Sequence, residues 1–390
     1  PDENYAREVM QLFTIGLVQL QPDGRLALGA DGLPLPTYHQ KTITEMAKVF
    51  TGWAYPTTST NVNAFRNTGA NYISPMQLFP AFHEDGAKDL SPVLTTPIPA
   101  GQGGTRDLQI ALDALVDHAN TGPFVAKALI KRLVTSNPSP AYVYRVAQIF
   151  VREKNSPNQL GSVVRAILTD YEARSPTIAG NQSFGKLKEP LLRLAGVLRS
   201  FNASSQSGRF GGYRVTVDGT PITSATPRPA AQPQISTIGS ATRLDSVQNN
   251  LAQAALRSPS VFNFYHPDYV LPGPLAAAGL VAPEFEITDD NYAISVPNLL
   301  RTFVLASVPT SAAAPYILTL DLSYEQTLVS NPSALLDHLN TILCAGTMPA
   351  ATRTRITTAL AALPAATTTV DRARTAVLLT LTAPAAAIQK

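Results

Sequence analysis

The sequence predicts a mainly α protein: a multi-helix globular array with small β-hairpins and long ordered loops. Three observations carry this expectation. Apolar residues recur at three- and four-residue spacing in many segments, with Ser, Thr, Asn or Pro before them and Gly after them. Strand-like alternation is confined to short stretches around Asp-Gly pairs. No alternation of strands with helices, and no internal repeat, runs through the chain.

Taken in order, Asp2 is an N-cap for a first helix. Tyr5, Val9, Leu12 and Phe13 form its apolar stripe and Gly16 its stop. Turns at Asp23-Gly24 and Asp31-Gly32 then mark a small hairpin. Thr42-Ile43-Thr44-Glu45 reads as a capping box opening a helix through Phe50, with Trp53 at the exit beyond Gly52. Residues 54–104 read as a long loop region. Helices resume with Leu108, Ala111, Leu112 and Leu115, then at 124–134 behind Pro123. Next comes a helix behind Ser139-Pro140, with Val143, Val146, Ala147 and Phe150 inward. Segments 163–168 and 188–201 follow. Residues 202–242 are poor in large apolars and alternate around Asp218-Gly219, which predicts an exposed insertion carrying a β-hairpin. Helical spacing returns at 244–256, 291–305, 332–344, 350–363 and 370–382, with Asn331 capping and Gly346 closing the third. The expected organisation is a helical part over 1–201, the insertion at 202–242, and a second helical part over 243–390 packing on the first.

Composition excludes several classes. Among 390 residues, 45% are hydrophobic and only 15% charged, against roughly 25% charged in an ordinary domain, so disorder is excluded. One Cys, Cys344, excludes an internal disulfide and a Cys-based zinc site. A net charge of 30 − 27 = +3 gives no nucleic-acid footprint. No 18-residue apolar run predicts a membrane-spanning helix. Low charge, abundant Thr and Pro, and a single Cys suit a bacterial extracytoplasmic protein.

Four groups could carry chemistry. His83-Glu84-Asp85-Gly86-Ala87-Lys88 places an imidazole, two carboxylates and an ammonium within six residues. His83, Glu84 and Asp85 could hold a divalent metal, and His83, Asp85 and Lys88 could serve acid–base catalysis; a solvated turn is the plain alternative. Glu3, Arg7 and Glu8 lie on the first helix, where Glu3 and Arg7 are an i,i+4 pair, as are Asn4 and Glu8; an ordinary surface ion pair is the alternative. Gly101, Gly103, Gly104 and Thr105 precede a helix and could cradle an anion, or form a turn capped by Thr105. Asn263, His266, Asp268 and Tyr269 could line a pocket with Glu284 and Glu286, or anchor a loop on buried aromatics. His118 and His338 read as structural, His39 is uninformative, and Cys344 reads as inert core.

The stretch 2–16 (DENYAREVMQLFTIG) resembles the bacterial family called domain of unknown function 1800. So do Phe50-Thr51-Gly52-Trp53, 82–88, 98–104, 133–140, 186–190, 259–264 and 281–285. The resemblance implies a mostly helical, exported protein, with a sulfatase-like exported protein as a partner. It also implies an N-terminal part with a Phe-Trp-His-x-His-Phe-like pattern, which this sequence lacks; any site needing those histidines would be incomplete here. Three functional expectations follow. The first is a structural or interaction subunit of a cell-surface or extracellular assembly, partnered by its own N-terminal part, by further copies of itself or by the sulfatase-like protein. The second is an extracytoplasmic enzyme or metal-binding protein with a pocket built from His83, Asp85, Glu3, Glu8 and Arg7, a pocket that needs that N-terminal part. The third is a carbohydrate- or polymer-binding module using aromatics such as Trp53 and Tyr55.

Overall fold

Helices form where apolar residues recur at three- and four-residue spacing, and the strands between them are two to five residues long. The computed structural model of the chain describes residues 1–56, 65, 73–205, 251–254, 256–306 and 318–390, and the backbone of 213–217, 220–221 and 234–237. The chain is mainly α and divides into two compact units, Pro1–Phe184 and Gly185–Lys390. The division lies N-terminal to the helix at 190–200, which therefore belongs to the second unit rather than to a helical part over 1–201.

In the first unit, α1 (Asn4–Glu8) runs directly into a π-helical turn, Val9–Thr14. The wider turn changes which side chains face inward. Ala6, Met10 and Ile15 are fully buried, at spacings of four and then five, while Tyr5 is 60% and Phe13 64% exposed. The expected inward stripe of Tyr5, Val9, Leu12 and Phe13 is corrected in part: Val9 packs against the core and Leu12 is half-buried, but Tyr5 faces outward already in α1 and Phe13 is turned out where the helix widens. Two tight turns follow, tied by single bridges between Val18 and Pro36, Leu20 and Leu26, and Leu28 and Pro34. Asn120 pins this segment. Its amide donates to the carbonyls of Ile15 (2.5 Å) and Val18 (2.8 Å), and its oxygen accepts from the Leu20 N–H at 2.5 Å.

Helix α2 (Gln40–Val49) starts earlier than Thr42, because His39 is its N-cap and Thr42 sits at N3 of a capping box. A short pair, β1 (Trp53–Ala54) and β2 (Gln77–Leu78), leads to a 3₁₀ turn at Pro80–Phe82. The loop beyond is ordered because it places Leu90, Val93 and Ile98 in the core shared by α2 and α3 (Gly104–Asp117). A second core joins α4 (Thr121–Leu133), α5 (Pro140–Arg152) and α6 (Gln159–Thr169), with Val143, Val146, Ala147 and Phe150 inward as expected. Short helices α7 (Tyr171–Arg174) and α8 (Pro176–Ala179) close the unit. Arg145 holds α7 to α5. It bonds both Asp170 oxygens at 2.8 Å and Glu172 at 2.9 Å.

The second unit comprises β3 (Lys186–Leu187), α9 (Pro190–Ser200), β4 (Tyr213–Val217), β5 (Thr220–Pro221), β6 (Gln234–Thr237), α10 (Pro274–Ala277), α11 (Asp290–Leu305), α12 (Ser323–Leu328), α13 (Pro332–Cys344), α14 (Ala350–Ala361), α15 (Thr369–Leu381), α16 (Pro384–Ala387) and β7 (Ile388–Gln389). Strands β3 and β7 pair antiparallel, and β4 pairs with β5 and with β6. The hairpin expected in the insertion is the β4–β5 pair; its Asp218-Gly219 turn lies outside the described residues. The helix expected at 244–256 is not formed where the chain is described. Ala252 and Leu256 have φ of +54° and +59°, which breaks helical continuity, and the rest of that segment lies outside the described residues. The core is built on Leu194, Leu300, Leu336, Leu339 and Val377, each at most 2% exposed.

Candidate functional site

Three motif stretches converge in the first unit: Thr51-Gly52, the loop 83–88, and the first turn of α3. The His83 ring is 2% exposed, lying between the Thr51 carbonyl, 3.0 Å from Nδ1, and Asp107 Oδ2, 3.1 Å from Nε2. Both ring nitrogens therefore lie within hydrogen-bond distance of an oxygen. Lys88 is fully buried, its Nζ donating to the same Asp107 oxygen at 2.5 Å and to the Gly86 carbonyl at 2.9 Å. Asp107 Oδ1 is buried with no hydrogen-bond partner. The carboxylate lies in the first turn of α3, where the helix dipole also favours negative charge.

Two glycines make room for the imidazole. A Cβ at Gly104 would come 2.9 Å from His83 Nδ1. Gly52 has φ +80°, and a Cβ there would stand 3.0 Å from the backbone nitrogen of His83 and from the Phe79 carbonyl.

The other predicted residues go elsewhere. Asp85 turns from His83 and accepts from the Gly103 N–H at 3.1 Å, while its carbonyl takes the Gly101 N–H at 2.9 Å. The glycine loop thus holds an anion of its own chain, and Thr105 is not the cap: Gly103 occupies that position. Glu84 accepts from the Gly86 N–H at 3.3 Å. The expected metal set of His83, Glu84 and Asp85 is therefore not assembled, because a six-residue loop sends these side chains in different directions. Among the described residues no group of three or more His, Cys, Asp and Glu is placed to hold a metal ion.

Glu3 and Arg7 fasten α1 to α2. Glu3 accepts from Thr44 Oγ1 and Gln40 Nε2, each at 2.7 Å, and lies 3.8 Å from Arg7, with Glu8 half-buried on the same short helix. Those hydrogen bonds, Thr44 first, hold the exposed Glu3 carboxyl below its ordinary value. The second predicted pocket also divides. His266 pairs with Glu286 at 2.8 Å on the surface, whereas Glu284 is buried against Lys186 at 2.8 Å. His338 bonds Glu325 at 2.7 Å, and burial pushes the Cys344 thiol up. Trp53 is half-buried in β1, and Tyr55 beside it is 45% exposed.

Sequence reasoning missed Asp107 and Thr51 as partners of His83. The available signal for Asp107 was an acidic residue in a first helical turn, near a segment with an imidazole and an ammonium. These contacts define a helical protein whose widely separated signature stretches are stapled around one buried carboxylate. The chain belongs to the family described as protein of unknown function (DUF1800), which matches residues 1–388. No curated protein and no solved structure matches the chain.

Proposed function

We propose that this is an exported bacterial structural or interaction protein, a subunit of a cell-surface or extracellular assembly. The observation that carries the reading is the closure of the signature cluster. His83, Lys88 and Asp107 are 0–2% exposed and hydrogen-bonded to one another or to backbone. Such groups hold loops in place, and a reacting group needs an open side. The exposed apolar side chains of the first 35 residues add support: Tyr5, Phe13, Leu17, Leu26, Leu28 and Leu33 are each 48–64% exposed, the kind of surface that another protein covers. Further copies of this chain and a sulfatase-like exported protein are the partners proposed.

A second reading, an extracytoplasmic enzyme or metal-binding protein, has one observation behind it: Asp107 Oδ1 is buried without a partner. Elemental analysis of the purified chain separates the two readings. It is combined with light scattering of wild type and of a Phe13→Glu/Leu28→Glu variant, alone and mixed with a sulfatase-like protein. The structural reading expects no stoichiometric metal and an assembly that the two charges weaken. A stoichiometric metal lost in His83→Ala, or no assembly sensitive to the two charges, overturns it.

A further inference from the structure

In the second unit a cavity of about 230 Å³ opens along α9. Three cations line it: Lys186, which pairs with the buried Glu284 at 2.8 Å, and Lys188 and Arg193, which pair with no carboxylate among the described residues. Lys188 Nζ donates to the Leu343 and Ala386 carbonyls, each at 3.1 Å. Arg193 Nη2 donates to the Leu381 carbonyl at 3.1 Å. An ammonium carries three N–H groups and a guanidinium five. One donor on Lys188 (3 − 2) and four on Arg193 (5 − 1) therefore have no protein acceptor among the described residues. Of the lining residues only Glu189 is acidic, and it accepts from Gln253 Nε2 at 2.6 Å.

Helix ends supply part of the missing negative charge. Leu343 and Leu381 lie in the last turns of α13 and α15, each 13 residues long. Each such end carries about half a negative charge, so together they offset about one of the two positive charges. Burial pushes Lys188 below its ordinary value, against the opposing effect of the Cys344 thiol and with a smaller contribution from Arg193, and burial pushes Arg193 down as well. Gly196 lies on the same wall, inside α9, where glycine is disfavoured against alanine. A Cβ there would meet nothing within 4 Å, so no neighbouring atom requires the glycine. Its effect is to leave space beside Arg193.

We propose that this cavity binds a small organic oxyanion, its carboxylate or phosphate head on Arg193 and Lys188 and its apolar part over Gly196, against Leu192, Val197 and Leu300. The planar guanidinium fork matches the paired oxygens of either head. At about 30 Å³ for a water-sized group, the space takes about eight heavy atoms.

The test is calorimetric titration of the full chain with hexanoate and, separately, with inorganic phosphate, at constant ionic strength. It is repeated on Arg193→Met and on Gly196→Leu, whose folding is checked by its melting temperature. Saturable one-site binding of either anion is expected. It should weaken at least tenfold in Arg193→Met, since charge-assisted hydrogen bonds are lost, and disappear in a folded Gly196→Leu. Hexanoate binding assigns a carboxylate head; binding of phosphate alone assigns a phosphate head. No saturable binding of either anion, or binding unchanged in both variants, overturns the proposal.

Discussion

Lys88→Met isolates what the buried cluster contributes. Methionine keeps an unbranched apolar stem but removes the ammonium that lies 2.5 Å from Asp107 Oδ2. At an effective dielectric of about 20, that separation gives a gross attraction of about 7 kcal/mol. Desolvating the two ions costs several kcal/mol each and cancels most of it. The loss on substitution comes instead from stranding a carboxylate that is 1% exposed, with one oxygen already unpartnered and only His83 left on the other. Breaking a buried pair in this way costs about 3–5 kcal/mol, against a total of about 5–15 kcal/mol for a folded domain. Trp53, the only tryptophan, lies in the first unit, so its fluorescence during urea unfolding reports that unit. The midpoint should fall with the slope unchanged. Adding Asp107→Leu removes the stranded charge, so the double variant should cost less than the sum of the two single ones. A cost below about 1 kcal/mol, or strict additivity, would refute the reasoning.

Three further outcomes are expected. Gly52→Ala should destabilise the first unit by about 1–3 kcal/mol, through a positive φ and a Cβ that would stand 3.0 Å from two backbone atoms; an unchanged urea midpoint would count against the close approach. Ser139→Ala should cost about 1 kcal/mol, because the Ser139 hydroxyl caps α5 by accepting from the Tyr142 N–H at 3.0 Å and also donates to Glu172 at 2.8 Å; the denaturation midpoint reads this directly. His266 should titrate above its ordinary 6.5, raised first by its hydrogen bond to Glu286. A folded value above the unfolded one means that this pair's stabilisation is full below about pH 6.5 and is lost as pH rises through the raised value. Proton NMR of the ring should show the elevated midpoint and its return towards 6.5 in Glu286→Gln; a wild-type midpoint at or below 6.5 would contradict the pairing.

Local rules made much of the fold readable. Asn331 bonds the Ala334 N–H, Ser139 bonds the Tyr142 N–H, and α11 and α13 begin and end within a residue of where caps and apolar spacing put them. One failure came where a rule of fixed period met a change of period. Tyr5 already faces outward in α1, with Ala6 and Met10 inward at a spacing of four, and across the π turn at Val9–Thr14 the next inward position falls five residues on, at Ile15, which leaves Phe13 exposed. The site was less readable for a different reason. His83 and Lys88 were visible as candidates, but the acid that joins them lies 19 residues beyond Lys88, on another element. Spacing along a chain says nothing about which residue of a distant helix turn will face a loop. The Gly101–Thr105 segment misled in the same way: its backbone N–H groups do bind an anion, but that anion is the Asp85 carboxylate.

The energetics of the cluster bear on how its residues could act. For a substrate to reach Asp107 Oδ1, the His83–Asp107 and Lys88–Asp107 contacts would have to separate, because all three side chains are at most 2% exposed. If opening costs the same 3–5 kcal/mol as breaking the pair, the open form is populated in about one molecule in 150 to one in 5,000. Apparent affinity for anything binding there falls by that fraction. A catalytic role would therefore need a partner or ligand whose binding energy holds the loop open, whereas a structural role needs nothing beyond the closed form. This asymmetry favours reading His83, Lys88 and Asp107 as a staple. The staple ties Thr51 and the 83–88 loop to the start of α3.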